Sequence, residues 1–253
     1  MYFLLKFKKI ISKLLTCWIL SKKARKNARN FLFYFSLADY IRFKKPNFYI
    51  VSLGHNCLPR VLATVVKLKP RKMYGEKTCP FDLSLNFDIN KIAELINNNF
   101  ENFFDNLEFN ETDKRWENKY LNSIYVHDSK LSRKQFQVRY SKRINNFLNI
   151  INSDKIIYFI YYPHSNESLT KENILTLYNA LFKRRNNKPF KLIIIIPEFI
   201  NDINEQNICQ IVESCDLEPD WLNAFINEYG EINNKYTQFV QQAGNKLKNI
   251  ILN

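Results

Sequence analysis

Two segments of this chain consist of bulky apolar residues without the polar alternation of a half-exposed strand. Residues 155–162 read KIIYFIYY and residues 191–196 read KLIIII. A strand that is apolar on both sides has to be covered on both faces, which is typical of a parallel sheet flanked by helices. These two runs therefore predict an α/β fold of three layers, with a mostly parallel sheet between helices.

The rest of the chain supplies the elements that such a sheet needs. The apolar run NFYIVSLG ends in a glycine and precedes a segment with helical spacing, so residues 47–66 predict a strand, a turn and a helix. Capping residues and apolar spacing predict further helices over 88–104, 132–151 and 170–185, and residues 123–127 predict a short strand. From residue 204 onward the pattern predicts helix to the end, with a packing stripe at Trp221, Phe225, Ile226 and Tyr229.

The low content of glycine and proline argues against two kinds of structure. Only 4 glycines and 8 prolines occur, which disfavours an all-β protein with many tight hairpins and a nucleotide loop built on repeated glycines. The abundance of Asn, Lys, Ile and Phe is typical of biased base composition, so we give these residues little functional weight.

The formal net charge of +14 is unevenly distributed along the chain. Residues 1–46 contain twelve Lys and Arg and one acid, while the remaining residues contain 26 basic and 23 acidic side chains. We therefore divide the chain into a basic amphipathic N-terminal arm, residues 1–45, and a nearly neutral single α/β domain, residues 46–253. No helix-turn-helix or zinc-finger pattern accompanies the arm, so sequence-specific nucleic-acid binding is not expected.

Residues 1–20 place apolar side chains at helical spacing with lysines between them, which predicts a basic amphipathic helix. No run of about 18 to 20 apolar residues occurs, so a membrane-spanning helix is not expected. Three roles stay open for the arm. Residues 1–34 could bind an anionic membrane surface, the helix could pack on the body, or the segment could be an uncleaved targeting sequence.

The five cysteines are scattered and form no CxxC pair, so the sequence predicts neither a disulfide framework nor a cysteine zinc site. No metal and no cofactor is expected. A reducing cytoplasm is the simplest location, with the inner face of the membrane as the site of the arm if it binds lipid.

Ligands of parallel α/β sheets bind at the carboxyl ends of the strands. In the predicted sheet the segments SLGHNC, VHDS, YYPHSN and PEF all follow strands. This edge should therefore gather the three histidines, His55, His127 and His164, around Cys57.

The motifs come in an order that resembles a known family. SLGHNC is followed by PFD at Pro80–Asp82, a helix that ends in FENFF, then VHDS and the basic helix RKQFQVRYSKR. This order resembles the bacterial papain-like cysteine peptidase family of unknown function. The resemblance covers about residues 47–150, and we expect it to include the following strand, helix and strand. Leu83 stands where the family has Trp. The resemblance implies an antiparallel, barrel-like sheet, whereas the periodicity predicts a parallel one, and we let the periodicity decide the fold.

The resemblance implies a Cys57–His127 pair, with Asp128 and Asp82 as nearby acids. The chemistry of the positions agrees, because a thiol at a helix start gains thiolate character and a histidine can exchange its proton. The backbone N–H of Cys57 and the Asn56 amide are the expected oxyanion donors. His55 is a second candidate base, and Gly54 forms the turn.

Each of these residues also has an interpretation without catalysis or binding. Cys57 could be a packed core residue, and Asp82 could only cap a turn. Arg139 and Arg143 share a helix face, which is usually a solvated surface but could bind a phosphate or carboxylate.

Three functions follow. The first is a cysteine-dependent hydrolase acting on a peptide or a glycan precursor. The second is a transferase of surface-glycan precursors at the inner membrane. The third is a non-catalytic, membrane-associated binding module.

Overall fold

The computed structural model describes residue 7 and residues 10–164, 167–213 and 235–253. In chain order, the helices are α1 (Lys22–Tyr34), α2 (Leu37–Lys44), α3 (Leu58–Val65), α4 (Ile89–Asn97), α5 (Arg133–Ile151), α6 (Lys171–Arg185) and α7 (Lys235–Leu252). The strands are β1 (Phe48–Ser52), β2 (Leu85–Asn86), β3 (Leu107–Asn110), β4 (Arg115–Asn118), β5 (Ser123–Tyr125), β6 (Ile156–Tyr161), β7 (Phe190–Ile196) and β8 (Ile208–Val212).

A parallel sheet with the order β1-β6-β7-β8 forms the centre of the fold. Val51 pairs with Phe159, and Phe159 pairs with Leu192 in the next strand. From Ile157 to Tyr161, β6 is almost completely buried, as expected for a strand whose two faces are both covered. The predicted parallel sheet is confirmed.

Helices cover both faces of this sheet. On one face, the ring of Phe159 lies 6.4 Å from that of Phe147 in α5, and α4 and α6 pack against each other. On the other face, the hydroxyl of Tyr158 donates to the carbonyl of Ile251 in α7. Because neighbouring strand residues point to opposite faces, Tyr158 and Phe159 mark the two interfaces of a three-layer α/β fold.

A second sheet, antiparallel with the order β2-β5-β4-β3, was not predicted. The expectation that the strand at 123–127 joins the parallel sheet is therefore wrong, since β5 pairs with β2 and β4. Helix α4 ends at Asn97 rather than near residue 104, because Asn99 and Phe100 both have positive φ angles and interrupt the helical path. The residues after that break form the β3–β4 hairpin.

The predicted helical tail is correct at α7 and wrong at β8. Ile208–Val212 is a short β-branched segment that pairs in parallel with β7. The Gln210 side chain holds it by accepting from the N–H and donating to the carbonyl of Ile200. The packing stripe from Trp221 to Tyr229 lies outside the described residues.

Left-handed turns are numerous for a chain with so few glycines. Among the described residues, nine non-glycine residues have positive φ, and five of these are asparagines: Asn99, Asn106, Asn122, Asn186 and Asn187. Asparagine tolerates this backbone region better than most residues, so it supplies turns that glycine usually provides.

The contacts divide the chain into two compact units. One comprises Met1–Pro46, Pro70–Glu76 and Leu217–Gln238, and the other contains both sheets. Within the described part of the first unit, the Tyr74 hydroxyl accepts the N–H of Ser36, and its ring lies 6.0 Å from Phe35 and 5.9 Å from Phe43. Residues 10–14 are helical and a turn follows over residues 15–18.

Candidate active site

The segment that follows β1 continues the backbone pairing with β6. Leu53 donates to the carbonyl of Ile160 at 2.9 Å, and His55 donates to the carbonyl of Tyr162 at 2.7 Å. Gly54 lies between them, where a Cβ atom would stand 2.8 Å from the backbone nitrogen of Tyr162 and 3.0 Å from its oxygen. Only glycine permits this approach, so Gly54 fixes how closely the segments after β1 and β6 meet at the carboxyl edge of the sheet.

Cys57 is the N-cap residue of α3 and is half-buried. Burial raises the pKa of its thiol to about 11, because removing water penalises the thiolate. Arg60 and the backbone N–H of Cys57 lower this pKa, and Asp82 raises it further. The sequence expectation of a thiolate at the helix start is therefore wrong for this structure, since burial outweighs the favourable effects of the helix terminus.

His55 and His164 are in contact at this edge. Their ring centroids are 4.4 Å apart, and Phe87 lies 4.8 Å from His55 and 5.0 Å from His164. The three rings form what we call the rim cluster: His55 after β1, Phe87 after β2 and His164 after β6. The predicted gathering of histidines at the sheet edge holds for these two.

The charge and tautomer of His55 follow from its surroundings. Burial lowers the pKa of His55 to about 4, the bond with Asn86 raises it, and His164 lowers it. Nδ1 lies 3.1 Å from the carbonyl oxygen of Asn86. Because a carbonyl oxygen only accepts, Nδ1 carries the proton and Nε2 keeps a lone pair. His55 is thus a neutral imidazole with a fixed tautomer at neutral pH.

Asn86 organises the segment that carries His55. Its backbone N–H donates to the carbonyl of His55 at 2.8 Å, and its side-chain nitrogen donates to Gly54 at 3.0 Å and to Ser84 at 3.1 Å. Its side-chain oxygen accepts from the Ser123 hydroxyl at 3.1 Å. No local motif marks this buried residue in the sequence, because Gly54, His55 and Ser123 lie more than thirty positions away from it.

Glu167 fixes the segment that carries His164. Its carboxylate accepts the N–H of Ile89 at 2.9 Å, the hydroxyl of Tyr161 at 2.5 Å and the backbone N–H of His164. Its own N–H donates to the His164 carbonyl at 2.9 Å. Burial raises the pKa of Glu167, against the lowering effect of these donors. The sequence analysis missed this residue too, since Ile89 is 78 positions away.

Asp82 lies in the short 3₁₀ helix Pro80–Asp82 and is completely buried. Its carboxylate binds the Lys69 ammonium at 2.8 Å and accepts the N–H of Cys79 at 2.6 Å. The PFD segment is thus held by a buried ion pair and a cap. The Asp82 carboxylate acts on Cys57 only through its charge, which raises the pKa of the thiol.

His127 and Asp128 follow β5, and so they belong to the antiparallel sheet. The expectation that VHDS emerges at the edge of the parallel sheet is therefore wrong. His127 is exposed, whereas Asp128 is buried and binds Tyr140 at 2.9 Å, Arg143 at 3.2 Å and Arg139. Among the described residues, no hydrogen bond or ring contact joins His127 to Cys57.

Arg139 and Arg143 are the partners of Asp128 in these ion pairs. The guanidinium groups of Arg139 and Arg143 both bind the Asp128 carboxylate, which neutralises part of the charge that a bound phosphate would need. The cluster connects the 3₁₀ helix Val126–Asp128 to α5.

Asn56 is 5% exposed and its side-chain oxygen accepts the N–H of Leu58 at 2.9 Å. The amide nitrogen is consequently the end of this side chain that can donate to a ligand.

Within the described ranges, no group of three or more His, Cys, Asp and Glu side chains is arranged to hold a metal ion.

The fold and the site define an α/β protein that carries a thiol and two imidazoles at the carboxyl edge of its parallel sheet. Residues 48–199 match the family model described as "Putative papain-like cysteine peptidase (DUF1796)". This match covers more than half of the chain, and the chain belongs to that family. No curated protein and no solved structure matches the chain.

The matched region runs from β1 to the residues just after β7, so it includes the strand, helix and strand that follow α5. It contains both sheets of the described structure except β8. The family resemblance is therefore confirmed over a longer region than the motifs alone indicated.

Proposed function

We propose that the protein is a cysteine-dependent hydrolase in which Cys57 is the nucleophile. The observation that carries the proposal is the position of Cys57, at the start of α3 and two residues after His55, on the sheet edge where His55 contacts His164. Family membership supports the same chemistry.

We assign the general base to His55 rather than to His127. The bond from Nδ1 to Asn86 leaves the lone pair on Nε2, which is the atom that can accept a proton. His127, exposed at the end of β5, is the base that the family motif implies, and it remains the alternative that the experiment has to separate.

In the proposed reaction the thiol sulfur attacks a substrate carbonyl while Nε2 of His55 takes its proton. The oxyanion would accept hydrogen bonds from the Cys57 N–H and the Asn56 amide nitrogen. Collapse to a thioester expels the leaving group, which receives the proton from the imidazolium. Water activated by the same base then hydrolyses the thioester and restores the thiol.

The pKa values of Cys57 and His55 determine when the thiol proton can transfer to the imidazole. Because the pKa of the Cys57 thiol is raised and that of the His55 imidazole is lowered, proton transfer from the thiol to the imidazole is strongly uphill in the resting protein. The resting site thus holds a neutral thiol and a neutral imidazole. The proton should transfer together with attack on the carbonyl, which spreads the new charge onto the oxyanion.

The proposal is tested with the full chain on a panel of fluorogenic acyl esters and peptide amides. We expect Cys57→Ala to abolish turnover, while Cys17→Ser, which removes an exposed thiol, leaves it unchanged. His55→Asn should lower turnover by about 100-fold or more, the usual contribution of a general base, and His127→Asn should not. Full turnover by the Cys57→Ala protein would contradict the nucleophile, and a loss confined to His127→Asn would contradict the base.

A glycan-precursor transferase would need Arg139 and Arg143 to hold a phosphate. Both bind Asp128, and no described contact favours that function, so we propose the hydrolase alone.

A further inference from the structure

Residues 10–18 bury small polar side chains and expose large apolar ones, which is the reverse of an ordinary surface helix. Its small polar residues are buried, with Ser12 at 4% and Thr16 at 1% exposure. Its large apolar residues are exposed, with Leu14 at 66%, Leu15 at 55% and Trp18 at 76%. An isolated exposed leucine needs no explanation, but a set of large apolar side chains on one short segment is typical of an interaction surface.

Hydrogen bonds within the segment and to α1 hold it in this orientation. The Thr16 hydroxyl donates to the carbonyl of Ser12 at 2.7 Å, and Arg29 of α1 donates to the Thr16 hydroxyl oxygen at 2.9 Å. Arg25 donates to the carbonyl of Ile19 at 2.8 Å. The polar side of the segment is thus used for contacts inside this unit, and the apolar side is left outward.

Exposed lysines lie in the same part of the chain as the exposed apolar residues. Lys13 lies within the segment, and Lys22, Lys23 and Lys26 are exposed on α1. The sequence contains no acidic residue before Asp39. The partner of this surface should therefore be negatively charged and also accept apolar side chains.

We propose that residues 10–26 dock on the surface of an anionic lipid bilayer, with Leu14, Leu15 and Trp18 inserted at the headgroup boundary. Exposed leucine and tryptophan next to lysines match a surface that combines acyl chains with anionic headgroups. Nucleic acid would use the lysines and leave the leucines in water, and a second copy of the same cationic surface would be repelled. No helix in the described part of the chain is long and apolar enough to cross a membrane, and the proposed attachment is peripheral.

The test is flotation of the full-length protein with vesicles of neutral phosphatidylcholine, alone or with one third phosphatidylserine. We expect binding only to the anionic vesicles and weaker binding as salt is raised. The variant Lys22→Gln, Lys23→Gln, Lys26→Gln should lose binding by roughly 100-fold, at about fivefold per lysine. The variant Leu14→Ser, Leu15→Ser, Trp18→Ser should lose at least about tenfold while keeping every charge.

A matched control removes three lysines from the other unit. Lys130→Gln, Lys134→Gln, Lys142→Gln changes the net charge by the same amount at exposed positions and should bind like the natural chain. Equal binding to neutral and anionic vesicles, or an equal loss in this control, would overturn the proposal. So would a dimer in analytical ultracentrifugation that the Leu14, Leu15, Trp18 variant abolishes without changing flotation. Far-UV circular dichroism verifies that each variant is folded.

Discussion

At the scale of single residues, the charge of His55 depends on how far its ring is shielded from solvent. Phe87 and His164 pack against its ring. The hydrogen bond between Nδ1 and the carbonyl of Asn86 raises the pKa, but burial lowers it by more. The same balance applies to Cys57, where burial outweighs Arg60 and the helix start. Both side chains are therefore uncharged at neutral pH, unlike a thiolate–imidazolium pair.

This balance predicts a pH dependence of stability. The pKa of His55 is lowered from 6.5 to about 4 on folding, so the stabilisation is present above pH 6.5 and is lost as the pH falls toward 4. We expect roughly 1 to 3 kcal/mol, less than the full shift implies because part of the ring meets solvent. The measurement is the free energy of unfolding in urea between pH 7 and pH 4.

His55→Asn is the matched variant, because its amide N–H can still donate to Asn86 but does not titrate. It should flatten the pH dependence by that amount, while His127→Asn at an exposed position should leave the curve unchanged. Identical pH curves for the natural chain and the His55→Asn protein would mean that folding does not change the pKa of His55, which would contradict the prediction.

At the scale of elements, the close approach of the segments after β1 and β6 depends on Gly54. A methyl group there meets the Tyr162 backbone and the ring of Pro59, none of which can rotate away. We expect Gly54→Ala to lower the free energy of unfolding by about 3 kcal/mol. Gly75→Ala is the comparison, since its φ of +83° costs about 1 kcal/mol but its Cβ meets open space. Thermal and urea unfolding measure both, and equal losses would mean that the approach is not tight.

The elements differ in how far the sequence predicts them. Strands β6 and β7 and helices α5 and α6 follow from uninterrupted apolar runs and capping residues, which are local signals. Strand β8 and the strands of the β3–β4 hairpin are four or five residues long and contain no uninterrupted apolar run, so no strong local signal marks them. The same holds within the site. Cys57, His55 and His164 follow strand ends and could be placed at one edge. No local motif marks Asn86 or Glu167, and their bonds to Gly54, Ser123 and Ile89 span more than thirty positions of the chain.

At the scale of the whole molecule, the two sheets should differ in stability. β6 and β7 each pair with strands on both sides and are covered on both faces, whereas β3 is an edge strand that is half exposed. Amide hydrogen exchange followed by mass spectrometry should therefore be slowest in peptides covering 156–161 and 190–196. Peptides covering 107–118 should exchange much faster. Equal protection in the two sheets would contradict a core centred on the parallel sheet.

The asparagines at left-handed turns connect this fold to its coding sequence. Glycine codons begin with GG and asparagine codons with AA, so a gene that drifts toward A and T tends to lose glycine and gain asparagine. Because asparagine tolerates positive φ, the turns at Asn99, Asn106 and Asn122 are ones that such drift could leave intact. Gly54 is different, since any side chain there collides with the Tyr162 backbone. Nucleotide bias can therefore replace glycine by asparagine at many turns of this protein, but not at Gly54, the residue before His55.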